Sequence, residues 1–83
     1  MNIKVLGSGC ANCKKVEALV EEVVSELGVP AEIEKVTDYK DIMRYGIMAT
    51  PGLVIDGEVR SAGRIPSKVE VTSWVVTALS RME

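Results

Sequence analysis

Eighty-three residues leave room for one domain spanning 1–83, and a chain of that size buries only about 60% of the surface its unfolded form exposes, so its core is thin. Hydrophobic residues at 47%, charged residues at 27% and a net charge of −2 describe an ordinary globular chain; with no basic stripe, they exclude a disordered tail and a nucleic-acid partner. No apolar run approaches the roughly 18 residues that span a bilayer, and Lys4 interrupts Met1-Asn2-Ile3 before a signal-peptide core forms, so the expectation is a soluble, cytoplasmic monomer with no membrane partner.

Ile3 and Val5 alternate with Asn2 and Lys4, and Leu6 then runs into Gly7-Ser8-Gly9. This pattern reads as a strand that ends in a flexible loop. From Cys13 the apolar positions are Val16, Leu19, Val20, Val23, Val24 and Leu27, spaced by threes and fours as in an amphipathic helix. Gly28, with Pro30 just beyond, supplies its stop. Ala31 to Val36 alternates again and predicts a second strand. Thr37-Asp38 then caps a short helix carrying Tyr39, Ile42 and Met43 and closed by Gly46.

Leu53-Val54-Ile55, Asp56-Gly57 and Val59 predict a hairpin, since Asp-Gly between strand-like runs is a strong turn signal. Ser67 and Glu70 have capping-box spacing ahead of a last helix, whose buried stripe is Val71, Val75, Ala78, Leu79 and Met82, with Trp74 beside it in the core. The order is β-α-β-α-β-β-α. A strand–helix–strand unit favours a parallel pair and the hairpin adds two antiparallel strands. The expected α/β fold is therefore a mixed four-stranded sheet flanked by helices.

The chemistry narrows quickly. The chain has no His, which removes Ser-His-Asp and Cys-His catalysis and every His-based metal site. It has two cysteines, Cys10 and Cys13, two residues apart. As a structural staple their four-residue loop contributes about 2 kcal/mol at most, and two sulfurs alone cannot close a zinc site. A soft ion such as Cu(I) accepts so few ligands, and Gly7-Ser8-Gly9-Cys10-Ala11-Asn12-Cys13 loosely resembles the metal loop of heavy-metal-associated domains.

The redox reading needs one reactive thiolate and a second thiol within reach. Cys10 precedes the first helical turn, where unpaired N–H groups and the helix dipole favour a thiolate. Cys13 lies three residues before Val16, a spacing that turns it inward. Lys14 and Lys15 in the first turn, against Glu21, Glu22 and Glu26 later, invert the order that helix stability prefers. They would tune the pKa of a neighbouring thiol downward, or else form a merely solvated face.

With these features the chain resembles the thioredoxin superfamily, most of all the small thioredoxin-like redox-active disulfide proteins that share Gly-x-Gly-Cys-x-x-Cys. Beyond the cysteines, Tyr45-Gly46-Ile47-Met48-Ala49-Thr50-Pro51, then Leu53-Val54-Ile55-Asp56-Gly57 and Ala62-Gly63, are similar to that family's cis-proline, hairpin and glycine segments. Heavy-metal-associated domains lack this Thr-Pro and run β-α-β-β-α-β.

The resemblance implies a thiol–disulfide oxidoreductase with no bound cofactor, in which Cys10 attacks and Cys13 resolves. Thr50 and Pro51 would face the disulfide and, with Ala62 and Gly63, bind the substrate. Met48 would border that groove or belong to the core. Implied partners are disulfide-containing proteins and a thioredoxin-reductase-like or dithiol electron donor. The alternative is a soft-metal or metalloid binding protein using the same two sulfurs. The chain departs from larger relatives in lacking Trp and Pro around its cysteines. It also has Lys4, six residues before Cys10, where those relatives carry a buried acid.

Overall fold

The computed structural model describes residues 1–7 and 9–81. In chain order the elements are β1 (Asn2–Leu6), α1 (Ala11–Leu27), β2 (Glu32–Val36), α2 (Tyr39–Arg44), β3 (Gly52–Ile55), β4 (Glu58–Ala62) and α3 (Lys68–Arg81). The strands form one sheet in the order β2-β1-β3-β4. β1 and β2 are parallel, with Ile3 opposite Ile33, because α1 carries the chain back over the sheet between them. β3 runs antiparallel to β1, and β4 antiparallel to β3. The expected mixed four-stranded sheet is the one observed.

Alternation along the strands divides the core in two. Ile3, Val5, Leu53 and Ile55 face Val16, Val20 and Val23 of α1 and Val71, Val75 and Ala78 of α3. Leu6 and Val54 point to the other face, where Ile42 and Ile47 cover them and Val36 and Tyr45 pack at the margin. Aliphatic side chains, with valine dominant on the helices, fill both facing surfaces of a core that has no Phe.

The thin second face explains where the periodicity misleads. Tyr39 and Met43 of α2 are exposed, because Ile42 and Ile47 already fill the small apolar area beneath them. Leu27 and Leu79 are also exposed, on the outer flank of the predicted stripes. Trp74 is half-buried and packs against the larger core from its edge. Met82 lies outside the described residues, as does Ser8.

The hairpin turn has Asp56 at φ 48° and Gly57 at φ 84°, the left-handed pair that matches the twist of two antiparallel strands. Asp56 also pins this hairpin to β1: its Oδ1 accepts from the Asn2 N–H at 2.8 Å, and its own N–H donates to the Asn2 carbonyl at 2.8 Å. On the larger face Lys68 Nζ bridges Glu26 at 2.9 Å and Glu22 at 3.0 Å, tying α3 to α1. Among the described residues no helix is long and apolar enough to cross a membrane.

The start of α3 is a reciprocal capping box: the Ser67 N–H donates to Glu70 Oε1 at 3.1 Å and the Glu70 N–H to Ser67 Oγ at 3.1 Å. Arg64 adds a two-pronged contact to the same carboxylate, at 3.0 and 2.6 Å. The Arg64 guanidinium, then the Ser67 N–H, hold the Glu70 carboxyl down at about 2, against an ordinary value of 4.5. A depressed carboxylate contributes stability that is complete above its unfolded value and is lost as pH falls toward its folded one. Melting temperature should therefore drop between about pH 4.5 and pH 2 partly through Glu70. In Glu70→Gln that portion of the acid limb should flatten, and the neutral-pH melting temperature should be slightly lower. The pair is exposed, so the difference should shrink with salt. Parallel acid limbs in the two proteins would show that Glu70 carries none of this dependence.

Candidate redox site

The two cysteines sit where β1 hands over to α1. α1 begins at Ala11, two residues before the first apolar position of its periodic stripe, because Cys10 is its N-cap. Cys10 has φ −66° and ψ 161°, and its Sγ accepts the Cys13 N–H at 3.1 Å. A sulfur in that place meets one of the orphan donors of the helix N-terminus and its positive dipole end, so charge on it is favoured. Cys10 is exposed. Cys13, one turn on and in line with Val16 and Val20, is 5% exposed. The two are joined as a disulfide with a Cα–Cα distance of 5.1 Å, ordinary for such a bridge.

Thr50-Pro51 is cis, as the resemblance implied. Pro51 is buried and Thr50 exposed. The Gly63 N–H donates to the Pro51 carbonyl at 2.9 Å, and Ala62 pairs with Gly52 across the β3–β4 ladder. Gly63 has φ 78°, and a Cβ on it would come within 3.0 Å of Ala49 Cβ. Thr50, Pro51, Ala62 and Gly63 thus form one wall. Arg64 and Glu70 brace it from behind through the start of α3. Met48 is 100% exposed, which places it outside the core.

Lys14 and Lys15 are exposed where the first turn of α1 passes into the second, and neither joins an ion pair among the described residues. Lys4 is not beside the sulfurs. It lies on the α2 side of the sheet and donates to the Tyr45 hydroxyl at 3.1 Å, a contact that raises its pKa above the usual 10.5. The β1 residue that shares a cavity wall with Cys13 is Val5. The strand position on that cavity is therefore apolar, and counting six residues back from Cys10 selects the other face. Among the described residues no three His, Cys, Asp or Glu side chains gather as a metal-binding group, so the two-sulfur metal reading gains no further donor.

Gly7 is a site residue that the sequence pattern hides. A Cβ built on it would overlap Cys13 Sγ, lie 3.2 Å from Cys13 Cβ and 3.8 Å from Thr50 Cβ. The strand end, the buried sulfur and the Thr50 wall converge there, and only a hydrogen fits between them. The one clue in the sequence is a glycine closing the strand immediately before a CxxC loop, which reads equally as simple flexibility.

Gly7→Ala should destabilise the oxidised protein by about 1–3 kcal/mol, the usual cost of overpacking. In a Cys13→Ala background, where the sulfur is gone, the same substitution should cost clearly less. Thermal melts of the four proteins make the comparison. Equal losses in both backgrounds would mean that the sulfur is not what constrains Gly7.

Known proteins resemble this chain in sequence and in fold. A family model described as thioredoxin domain matches residues 1–76. A thioredoxin of Methanothermobacter thermautotrophicus is 45% identical over 71 residues, which cover 86% of this chain and 92% of that protein. A thioredoxin of Methanocaldococcus jannaschii is 39% identical over 69 residues, covering 83% and 79%. Among solved structures, the germline-specific thioredoxin Deadhead of Drosophila melanogaster superposes with a TM-score of 0.61, covering 92% of this chain and 78% of that one; at 13% identity it shows the fold alone. The chain belongs to the thioredoxin family, and with Cys10 and Cys13 as its redox pair it is a protein thiol–disulfide oxidoreductase.

Proposed function

We propose that the protein works as a small monomeric electron carrier in the cytoplasm, that residues 1–83 act as one domain, and that Cys10 is the attacking sulfur and Cys13 the resolving one. The observation that carries this reading is the asymmetry of the pair: Cys10 exposed at the N-cap of α1, Cys13 buried behind it. A substrate disulfide reaches the first sulfur and not the second. The Cys10 thiolate attacks one substrate sulfur and the other leaves as a thiolate. Cys13 then attacks Cys10 and releases the second substrate sulfur, leaving the protein oxidised. A reductase or a dithiol donor restores the reduced pair.

Thr50, Pro51, Ala62 and Gly63 are the proposed docking wall, with Met48 at its rim. The contacts among Pro51, Gly52, Ala62 and Gly63, and the approach of Thr50 to Gly7, support the assignment. The carbonyl and N–H groups of an extended substrate segment would pair with the exposed backbone beside Thr50, while proline itself offers no competing donor. Lys14 and Lys15 are proposed to favour the Cys10 thiolate. Both are free of carboxylate partners among the described residues, which leaves their charge available to the sulfur.

In the reduced protein, iodoacetamide should modify Cys10 much faster than Cys13. Cys10→Ser should abolish insulin reduction driven by dithiothreitol, and Cys13→Ser should accumulate mixed disulfides. Equal alkylation rates would overturn the assignment of roles. Replacing both lysines (Lys14→Gln with Lys15→Gln) should slow Cys10 alkylation at neutral pH by less than about tenfold, since exposed charge pairs are worth roughly 1 kcal/mol or less. The difference should vanish in high salt. No change at low salt would reduce the lysines to a solvated helix face.

A further inference from the structure

The second chemical step poses a problem that the two sulfurs do not solve. To attack the mixed disulfide, Cys13 must give up a proton, and it does so from a position only 5% exposed. Burial favours the uncharged thiol, so the step needs an acceptor close by. β1 supplies none, because Val5 is the residue beside Cys13 and Lys4 is held by Tyr45 on the other face.

α1 does supply one. Glu17 lies four residues after Cys13, a spacing that puts Cβ atoms about 5–6 Å apart on one face of a helix. The two residues line a common cavity of about 50 Å³. That volume exceeds the roughly 10–15 Å³ that one water needs. The Glu17 side chain is 21% exposed, less than any other carboxylate in an ion pair among the described residues, and Lys35 Nζ of β2 holds it at 3.1 Å. The remaining polar groups on the cavity are Lys14 of α1 and Thr37 after β2. Glu17 is the one carboxylate there.

We propose that Glu17 accepts the Cys13 proton in the resolving step, directly or through one water in this cavity, while Lys35 fixes its position. The proton passes from Cys13 Sγ to the Glu17 carboxylate. The Cys13 thiolate attacks Cys10 Sγ, and the Cys10–Cys13 bond forms as the bond from Cys10 to the substrate sulfur breaks. The electron pair leaves with that sulfur, which takes a proton from the Glu17 carboxylic acid or from solvent. Two electrons have moved from the dithiol to the substrate. When a donor reduces the pair again, the departing Cys13 thiolate takes a proton from the same carboxyl, which solvent re-protonates if it gave its proton to the substrate sulfur.

This inference rests on Cys10 attacking and Cys13 resolving, and its test separates the two. The full chain, reduced, is mixed with a chromogenic aryl disulfide: the first aryl thiolate released reports attack, the second reports resolution. In Glu17→Gln the first phase and the iodoacetamide rate of Cys10 should stay at wild-type values. The second phase should slow by about 10²-fold near pH 6, the low end of general acid–base contributions. The deficit should narrow as pH rises past about 8.5, the ordinary thiol value, because a growing share of Cys13 then ionises without help. Glu17→Asp should recover part of the rate, and Lys35→Met, which keeps the carboxylate, should lose less than Glu17→Gln. If Glu17→Gln does not fold, Glu17→Asp must still slow the second phase alone. An unchanged second phase, or equal slowing of both phases, overturns the role of Glu17 and leaves the sulfur roles standing. A mixed disulfide that forms on Cys13 instead of Cys10 overturns both.

Discussion

The site depends on a contact with no room in it: the last turn of chain leaving β1 lies against the buried sulfur of Cys13, with a glycine hydrogen between them. That approach fixes where α1 can begin. It leaves Cys10 as the N-cap, outside the helix and exposed, and puts Cys13 one turn inside. The difference between the sulfurs is thus a matter of helix geometry rather than of special neighbours. Two chemically identical side chains gain different reach because one caps the helix and the other belongs to it.

The sheet turns this local arrangement into a stable one. α1 and α3 share the large aliphatic core on one face, and the Lys68 bridges to Glu22 and Glu26 join them at the surface. The Thr50-Pro51 wall is secured from the other direction: β3 follows it directly, β4 returns to it through Ala62 and Gly63, and the capping of α3 braces the turn after Gly63 through Arg64 and Glu70. Rigid elements therefore hold both sides of the disulfide, while Thr50, Met48 and Cys10 stay exposed between them. A thiol exchange that proceeds through aligned sulfurs benefits from such a frame, because little reorganisation accompanies the step.

What the sequence made legible follows from the range of the physics involved. The strand and helix order, the Asp56-Gly57 turn and the Ser67–Glu70 box are written within a few residues of one another, and all appear as expected. Cys10 and Cys13 were legible for the same reason, as were Thr50 and Pro51 once the order of landmarks was in view. The misreadings lie where the outcome depends on what sits opposite. Tyr39 and Met43 fit a helical stripe, yet the sheet offers them no apolar surface. Lys4 occupies the expected count before Cys10, yet strand alternation turns it away and brings Val5 to the sulfur. Gly7 looked like slack in a loop, and its real constraint comes from Cys13 and Thr50, the latter distant in sequence.

The charges on the three helices make the same distinction between folding and function. α2 has Asp41 in its first turn and Arg44 in its last, and α3 has Glu70 and Arg81 in those places. Those acids share their first turns with Lys40 and Lys68, and the base in each last turn complements the helix dipole. α1 has no acid in its first turn and no base in its last, and Lys14 and Lys15 follow as its fourth and fifth residues. Reversal costs about 0.3–1 kcal/mol per charge at exposed positions. Burying Val16, Val20 and Val23 contributes roughly 1.5–3 kcal/mol each, so packing holds α1 in place by a wide margin whatever its terminal charges. α1, held this firmly by its packing, begins at the sulfur that the proposed mechanism requires to become negative. In the role proposed for Lys14 and Lys15, cations at that end oppose the dipole weakly and favour the thiolate, a cost that the packing of α1 readily offsets.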